Sequence, residues 1–462
     1  MADSTLIKGG RVVDPSQGLD TIGDVLITDG LVVSAGTIVN DAPKDCTVLD
    51  ATGLVVTPGF IDLHVHLREP GQEDKETVAT GALAAVRGGF TTICAMPNTE
   101  PPMDNAAVIR QVLDAASQAG LAHVLPIGCA TRGRMGVDLA DMAELAAAGA
   151  VGFSDDGSPI ADSGLMRNAL SYSTTTGLPV INHCEEPSLS KDGVLHEGWV
   201  ASRLGLPGQP AAAEESMVAR DIELAALTGG RLHVAHISTA GTLKLVRRAK
   251  ERGLPVTAEV TPHHLILTEE WALGTIEAGA GELTAPDKYA PLTRSAYDTR
   301  AKVNPPLRTE DDTEALVAGL KDGTIDAVAT DHAPHTSTDK DCTMQEAAFG
   351  ISGLETAFGL VNGLVDRGDM DLTTAIERLT SGPARVLGEP YQSSIGTLKP
   401  GASGDVTVLD PDAEWVVDSS TFASKGRNTP VDGITLKGQV VKTIVGGRLV
   451  HDLQEAATKG SA

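Results

Sequence analysis

The sequence predicts an α/β protein: a closed (β/α)8 barrel of the TIM type over residues 58–395, with a small β-sandwich-like domain built from both chain ends, residues 1–57 and 396–462. Three observations lead there. Apolar strand-length runs alternate with Ala-rich helical stretches through the middle of the chain. Both ends carry short β-branched runs separated by turn residues. Polar residues suited to binding a metal stand at the ends of most of the central runs.

At the N-terminal end the β-branched runs are Arg11-Val12-Val13, Val25-Leu26-Ile27, Leu31-Val32-Val33 and Leu54-Val55-Val56. At the C-terminal end they are Asp405-Val406-Thr407-Val408-Leu409, Val440-Val441-Lys442-Thr443-Ile444-Val445 and Gly446-Gly447-Arg448-Leu449-Val450. Both sets read as antiparallel strands and hairpins. Between them, 60–66 leads to a helix near 76–88, 91–95 to 105–119, and 124–128 to 138–148. The run 151–154 leads to 163–177, 179–182 to 211–228, and 232–237 to 241–252. The seventh, 256–260, precedes a stretch with no clean period. The eighth, 325–330, leads to helices near 353–366 and 371–386. Eight β/α units are what a closed parallel barrel needs.

The chain has 462 residues, 41% of them hydrophobic, so it can bury a large core. Its net charge of −26 argues against nucleic acid and anionic membrane as partners. An anionic substrate must therefore find a local positive site. No signal peptide or membrane-length apolar run is visible. The five cysteines (46, 94, 129, 184 and 342) form no Cys-x-x-Cys pair and fit reduced thiols in a cytoplasmic protein.

In such barrels the active site lies at the C-terminal ends of the strands. The first run ends in His64-Val65-His66-Leu67-Arg68. Residues i and i+2 of a strand share a face, so both histidines can grip one ion. Arg68 then stands where it can hold a carboxylate, unless it pairs with Glu69 or Asp74. Strand two runs into Met96-Pro97-Asn98-Thr99, strand four into Ser154-Asp155-Asp156-Gly157, and strand five into Asn182-His183-Cys184-Glu185. Strand six ends in His236-Ile237-Ser238 and strand eight in Thr330-Asp331-His332-Ala333-Pro334-His335.

From these ends come six candidate ligands: His64, His66, Asp156, His183, His236 and Asp331. Imidazole and carboxylate together suit Zn²⁺, with Mn²⁺ or Co²⁺ as substitutes. Six ligands exceed one tetrahedral ion and favour two bridged by a shared group. Asp155 competes with Asp156, one of them serving as a turn or cap residue. His236 is preferred to His233 because it lies nearer the strand end. His263 and His264 reach the same rim without an assigned role, whereas His123, His196 and His451 lie off the strand ends.

These motifs resemble those of the amidohydrolase superfamily, and specifically the class I bacterial dihydroorotases. The resemblance covers nearly the whole chain. It includes Asp62-Leu63-His64-Val65-His66-Leu67-Arg68-Glu69-Pro70-Gly71, Met96-Pro97-Asn98-Thr99, Phe153-Ser154-Asp155-Asp156-Gly157, Val303-Asn304-Pro305-Pro306-Leu307-Arg308 and Ala329-Thr330-Asp331-His332-Ala333-Pro334-His335. It implies one metal site of His64, His66, Asp156 and Asp331, and a second of Asp156, His183 and His236. Two Zn²⁺ would be bridged by Asp156 and a hydroxide, leaving the centre at about +1. Asp331 is implied as the catalytic proton shuttle. Substrate contacts are implied for His66, Arg68, Asn98, Asn304, His335, Phe349 and Gly350.

The implied reaction is the reversible cyclisation of N-carbamoyl-L-aspartate to L-dihydroorotate, a step of pyrimidine synthesis. Hydantoinases, allantoinases and related enzymes bridge their metals with a carbamylated lysine on strand four. This chain has no lysine between Lys75 and Lys191. Two alternatives stand beside the main reading: another cyclic-amide hydrolase such as an allantoinase or hydantoinase, and an inactive scaffold for aspartate transcarbamoylase. The full ligand set speaks against the scaffold. A homodimer and an association with aspartate transcarbamoylase are further expectations. A Gly-, Ala- and Thr-rich stretch at about 273–296 reads as a surface insertion, and 336–348 as a mobile loop that closes over substrate.

Overall fold

The computed structural model describes residues 4–274 and 296–454. The insertion read at 273–296 falls, over 275–295, outside the described residues. Eight parallel strands form the barrel: Phe60–Val65, Phe90–Ala95, His123–Pro126 continued by Gly128–Cys129, Phe153–Ser154, Val180–Asn182, Leu232–Val234, Val256–Val260 and Ala327–Val328. The ring closes where Val65 bridges His332 in parallel and the His66 N–H donates to His332 O at 2.9 Å. All eight runs expected from the sequence are barrel strands.

Strands covered on both faces can be apolar throughout, and every residue of Phe60–Val65 and Phe90–Ala95 is buried. One apolar cluster takes Ile61, Cys94, Ile127, Val151, Ile181, Ala235 and Ala327, which lie in or next to seven of the eight strands. It fills the barrel at positions just before the polar strand ends. The outer helices begin at residues able to cap them. Thr77 and Thr80 make a capping box for Val78–Arg87, and Asn105 caps Ala106–Ala119. After strand seven, where no clean period was legible, stand the short helix Pro262–Ile266 and, further on, Glu310–Asp322.

Strands from both chain ends join in one eight-stranded sheet, with Val55–Pro58 antiparallel to Val406–Val416 at the junction. The sequence led to an expectation of antiparallel pairing throughout, but the sheet is mixed. Ser4–Asp14 lies parallel to both Thr47–Asp50 and Val55–Pro58. The segment after Leu31–Thr37 carries the chain back across the sheet before Thr47, which reverses the direction a hairpin would give. Ile7, Val12, Val25, Val56, Val406 and Ile444 form the apolar core of this sheet. No helix among the described residues is long and apolar enough to cross a membrane, and all five cysteines are free thiols.

Candidate metal and active site

Strand one delivers His64 and His66 with help from its own irregularity. Its pairing to strand two shifts register between Asp62 and Val65. There the buried Asp62 carboxylate accepts the His64 N–H and the Thr330 N–H, both at 3.0 Å, and the Thr330 hydroxyl at 2.6 Å. This ties strand one to strand eight below the site. Burial pushes the Asp62 carboxyl up to about 7 against those donors.

Asp156 stands at the centre. Its Oδ2 lies 3.3 Å from His64 Nε2 and 3.4 Å from His66 Nε2, while Oδ1 lies 3.7 Å from His183 Nδ1 and 3.5 Å from His236 Nε2. One carboxylate therefore faces two histidine pairs, one through each oxygen. His183 Nδ1 and His236 Nε2 are 3.0 Å apart. Asp331 Oδ1 lies 3.1 Å from His66 Nε2 and 3.5 Å from His64 Nε2, on the strand-one side only.

This arrangement fits metal. His64 Nε2 and Asp156 Oδ1 are buried without a hydrogen-bond partner, which is costly unless something else satisfies them. Two donors sharing an ion through bonds of about 2.1 Å stand roughly 3.4 Å apart in a tetrahedral site, and the spacings here cluster around that value. Two groups of three potential ligands, His64-His66-Asp156 and Asp156-His183-His236, meet the spacing for an ion and share Asp156. Burial pushes the Asp156 carboxyl up, but His64, His236 and His66 beside it hold it well below the usual carboxylate range. Asp331 is likewise held low, against burial, by His64 and His66.

Carboxylates that the sequence reading did not single out orient the histidines. Glu259, fully buried in the middle of strand seven, pairs with His64 Nδ1 at 2.8 Å and with His233 Nε2 at 3.1 Å. Burial opposes its ionisation, but the two imidazoles bring it down to about 2. Its signal in the sequence was a lone glutamate inside the apolar run Val256-Thr257-Ala258-Glu259-Val260. Glu185 Oε2 pairs with His183 Nε2 at 2.9 Å, which turns Nδ1 toward Asp156. A carboxylate on the second imidazole nitrogen fixes the ring and strengthens it as a ligand.

The competing assignments resolve on geometry. Asp155 turns away and accepts the Ala130 and Thr131 N–H groups at 3.0 Å each, which makes it the turn residue. His233 is the hydrogen-bonded partner of Glu259, and His236 faces Asp156. His264 Nε2 donates to Pro305 O at 3.0 Å, beside Asn304, whereas buried His263 Nε2 has no hydrogen-bond partner.

A cavity of about 230 Å³ opens over this cluster. His66, Arg68, Asn98, Asn304, His335, Phe349 and Gly350 all line it, as do Asp156, His183, His236 and Asp331; His64 lies behind it. A larger cavity of about 690 Å³ lies elsewhere, between Ala357–Asp366 and the terminal sheet, and touches none of these residues. Arg68 pairs with neither Glu69 nor Asp74. Its Nε donates to Pro334 O at 3.3 Å, while Glu69 accepts the Val78 N–H. Burial lowers the Arg68 guanidinium only to about 10, so it is cationic at neutral pH. Asn98 Oδ1 takes His66 Nδ1 at 2.8 Å and leaves its NH₂ free to point at a ligand. Asn304 donates to Glu185 at 2.6 Å, and its Oδ1 is unpaired. His335 Nε2 donates to Phe349 O at 2.9 Å, and burial drives this imidazole down to about 3, so it is neutral.

Backbone strain marks the same rim. Arg68, His236 and Asp331 have φ of 62°, 31° and 46°, a region that non-glycine residues enter at a cost and mostly at functional sites. Gly350 has φ 144°, and a Cβ there would stand 2.7 Å from Ala333 Cβ and O. Only glycine lets the chain pass this close to the strand-eight end.

The loop 336–348 is docked rather than loose. Thr336 and Asp339 form a capping box on the short helix Ser337–Lys340, and the Lys340 side chain is buried. Its polar sequence gave no period because its order comes from bonds to other segments.

Comparisons with known proteins show the family of the chain. The family model for dihydro-orotase-like proteins matches residues 53–242, and that of the amidohydrolase family matches 208–451. A dihydroorotase of Anaeromyxobacter dehalogenans (strain 2CP-C) is 53% identical over 452 residues, covering 98% of this chain and 99% of that protein. One from Pelotomaculum thermopropionicum is 53% identical over 446 residues, covering 96% and 98%. Among solved structures, the L-hydantoinase (dihydropyrimidinase) of Arthrobacter aurescens superposes with a TM-score of 0.81 at 26% identity, over 98% of this chain and 96% of its own. The dihydropyrimidinase of Brevibacillus agri, at 23% identity, TM-score 0.76 and coverage of 97% and 95%, shares the fold. The chain belongs to the dihydroorotase family of the amidohydrolases.

Proposed function

We propose that this protein is a metal-dependent dihydroorotase that interconverts L-dihydroorotate and N-carbamoyl-L-aspartate in pyrimidine synthesis, in the cytoplasm. The observation that carries the reading is one buried aspartate facing two histidine pairs beneath a cavity whose fixed cation is Arg68. We assign catalysis to 58–395 and a supporting role to the sheet of 1–57 and 396–462.

His64, His66, Asp156 and Asp331 would hold one ion, and Asp156, His183 and His236 a second, with zinc the ion this donor set suits best. When bound, such a pair supplies Lewis-acid polarisation of the amide carbonyl and an activated water. The chain supplies the rest. Arg68 presents a planar fork to the substrate carboxylate, and Asn98 lines the same cavity. Asn304 Oδ1 and the backbone at Phe349-Gly350 offer further polar contacts to the ring. In hydrolysis, Asp331 takes the proton of the attacking water and delivers it to the departing ring nitrogen. In cyclisation, it removes a proton from the ureido nitrogen as that atom attacks the side-chain carboxyl, and returns the proton to the carboxyl oxygen whose C–O bond breaks, which leaves as water. Its carboxylate is held ionised, as a base at neutral pH must be.

The test is an ultraviolet assay of purified protein on L-dihydroorotate, with hydantoin and allantoin in parallel. Turnover of dihydroorotate that greatly exceeds the other two is expected. Preference for hydantoin or allantoin would overturn the assignment and move it to the enzymes whose fold it shares.

A further inference from the structure

Lys340 sits on the loop that joins strand eight to Phe349-Gly350, yet its side chain is almost wholly buried. Its Nζ donates to Thr299 O at 3.0 Å, Lys302 O at 3.1 Å and Ala348 O at 2.7 Å. An ammonium carries three donors, so every one has an acceptor, and each acceptor is a main-chain carbonyl. A surface loop gains nothing from desolvating a lysine unless the carbonyls it gathers must be held in place. Burial lowers this amine to about 7, a sign of how far it has been taken from water.

The three carbonyls lie on two backbone strips that reach the cavity. Residues 299–302 lead to Asn304, and Ala348 precedes Phe349-Gly350. The strips are cross-linked around the ammonium. The Gly350 N–H donates to Lys302 O at 3.0 Å, and the Ala348 N–H donates to Asp339 O at 3.0 Å. The Thr299 hydroxyl donates to Lys340 O at 2.6 Å. Lys302 adds a second tie: its Nζ donates to Gln345 O at 3.1 Å and lies 4.3 Å from the centre of the Phe349 ring.

We propose that Lys340 is a positioning residue that clasps the Asn304 strip to the Phe349-Gly350 strip and so sets the substrate cavity, without touching substrate or metal. The proposal rests on the dihydroorotase reading for its substrate. Replacing the ammonium takes its donor from Ala348 O and one of two donors from Thr299 O and Lys302 O, which keep the Lys302 and Gly350 N–H groups, so the strips stay joined by fewer bonds and loosen at the cavity wall. The metal ligands hang from the barrel strands, and only His183, through Glu185 and Asn304, is linked to these strips, so at saturating metal the sites stay filled.

The experiment compares wild type, Lys340→Met, Lys340→Arg and Lys302→Met as metal-loaded, full-length proteins. It reads KM and kcat for L-dihydroorotate, metal content, and amide hydrogen exchange by mass spectrometry. For Lys340→Met, KM should rise about tenfold or more with a smaller fall in kcat, since misplacement at a binding wall removes binding first. Metal content at saturating metal should equal wild type, and exchange should quicken only in peptides spanning 299–304 and 336–350. Lys340→Arg should recover part of KM, and Lys302→Met should shift it in the same direction by less. An unchanged KM, or a rise accompanied by metal loss and faster exchange throughout the barrel, would overturn the proposal. Should Lys340→Met not fold, Lys302→Met decides: a raised KM with confined exchange supports the clasp, and wild-type values refute it. Wild type inert on dihydroorotate would refute the functional reading instead, a result separate from the exchange comparison.

Discussion

The two histidine pairs around Asp156 are supported in different ways. On the strand-one side, everything behind His64 belongs to the barrel, while His66 is held by Asn98 of the cavity wall. His64 leans on Glu259 of strand seven, which also holds His233 of strand six, and none of the three side chains meets solvent. On the other side, His183 leans on Glu185, whose side chain is 19% exposed, and Glu185 is held in turn by Asn304 from the cavity wall. The support of His64 is a scaffold feature. Glu185 shares its support with the substrate cavity, so ion binding and substrate binding should be coupled through Glu185 and independent at Glu259.

The largest expected effect breaks the strand-one half at its reactive group. Asp331→Asn should lower kcat by about 10²–10⁴-fold while keeping most of the metal; full activity would remove the proton-shuttle role. Next, Arg68→Ala should raise KM for dihydroorotate by about tenfold or more with unchanged metal content, because a charge-assisted pair to the substrate carboxylate is lost. An unchanged KM would take Arg68 out of the substrate site. The comparison itself is sharpened by Glu259→Gln against Glu185→Gln. Each should weaken metal binding, by about 10–100-fold for a carboxylate behind a ligand histidine. Only Glu185→Gln should raise KM as well, measured at saturating metal. Equal behaviour of the two would erase the distinction between the halves.

The smallest expected effect concerns acid. Glu259 has a folded pKa of about 2, below its ordinary value of 4.5. A depressed carboxylate contributes stability that is present above the unfolded value and lost as pH falls through the folded one. Melting temperature should therefore decline between about pH 4.5 and 2, and Glu259→Gln should flatten part of that decline. A decline of the same steepness in the variant would assign it to other groups.

The barrel was legible because each strand is buried on both faces and reads as an apolar run, while its polar end breaks the run abruptly. The His-x-His of strand one and the paired aspartates of strand four announced the site for the same reason. What stayed hidden depends on contacts distant in sequence. Glu259 looks like a flaw in an apolar strand until His64, 195 residues away, is seen against it. Nothing near Lys340 distinguishes it from a solvated loop lysine, since its acceptors come from 299, 302 and 348. The parallel pairings of Ser4–Asp14 were missed because β-branched runs separated by turn residues look the same whether the next strand pairs beside its predecessor or crosses over.

The most direct test of the account strips the protein of metal and titrates zinc back while following dihydroorotate hydrolysis. The account predicts no turnover without metal, and activity that rises until about two ions per chain are bound, as one carboxylate shared between two sites requires. Turnover by metal-free protein, or metal-saturated protein inert on dihydroorotate, would contradict it.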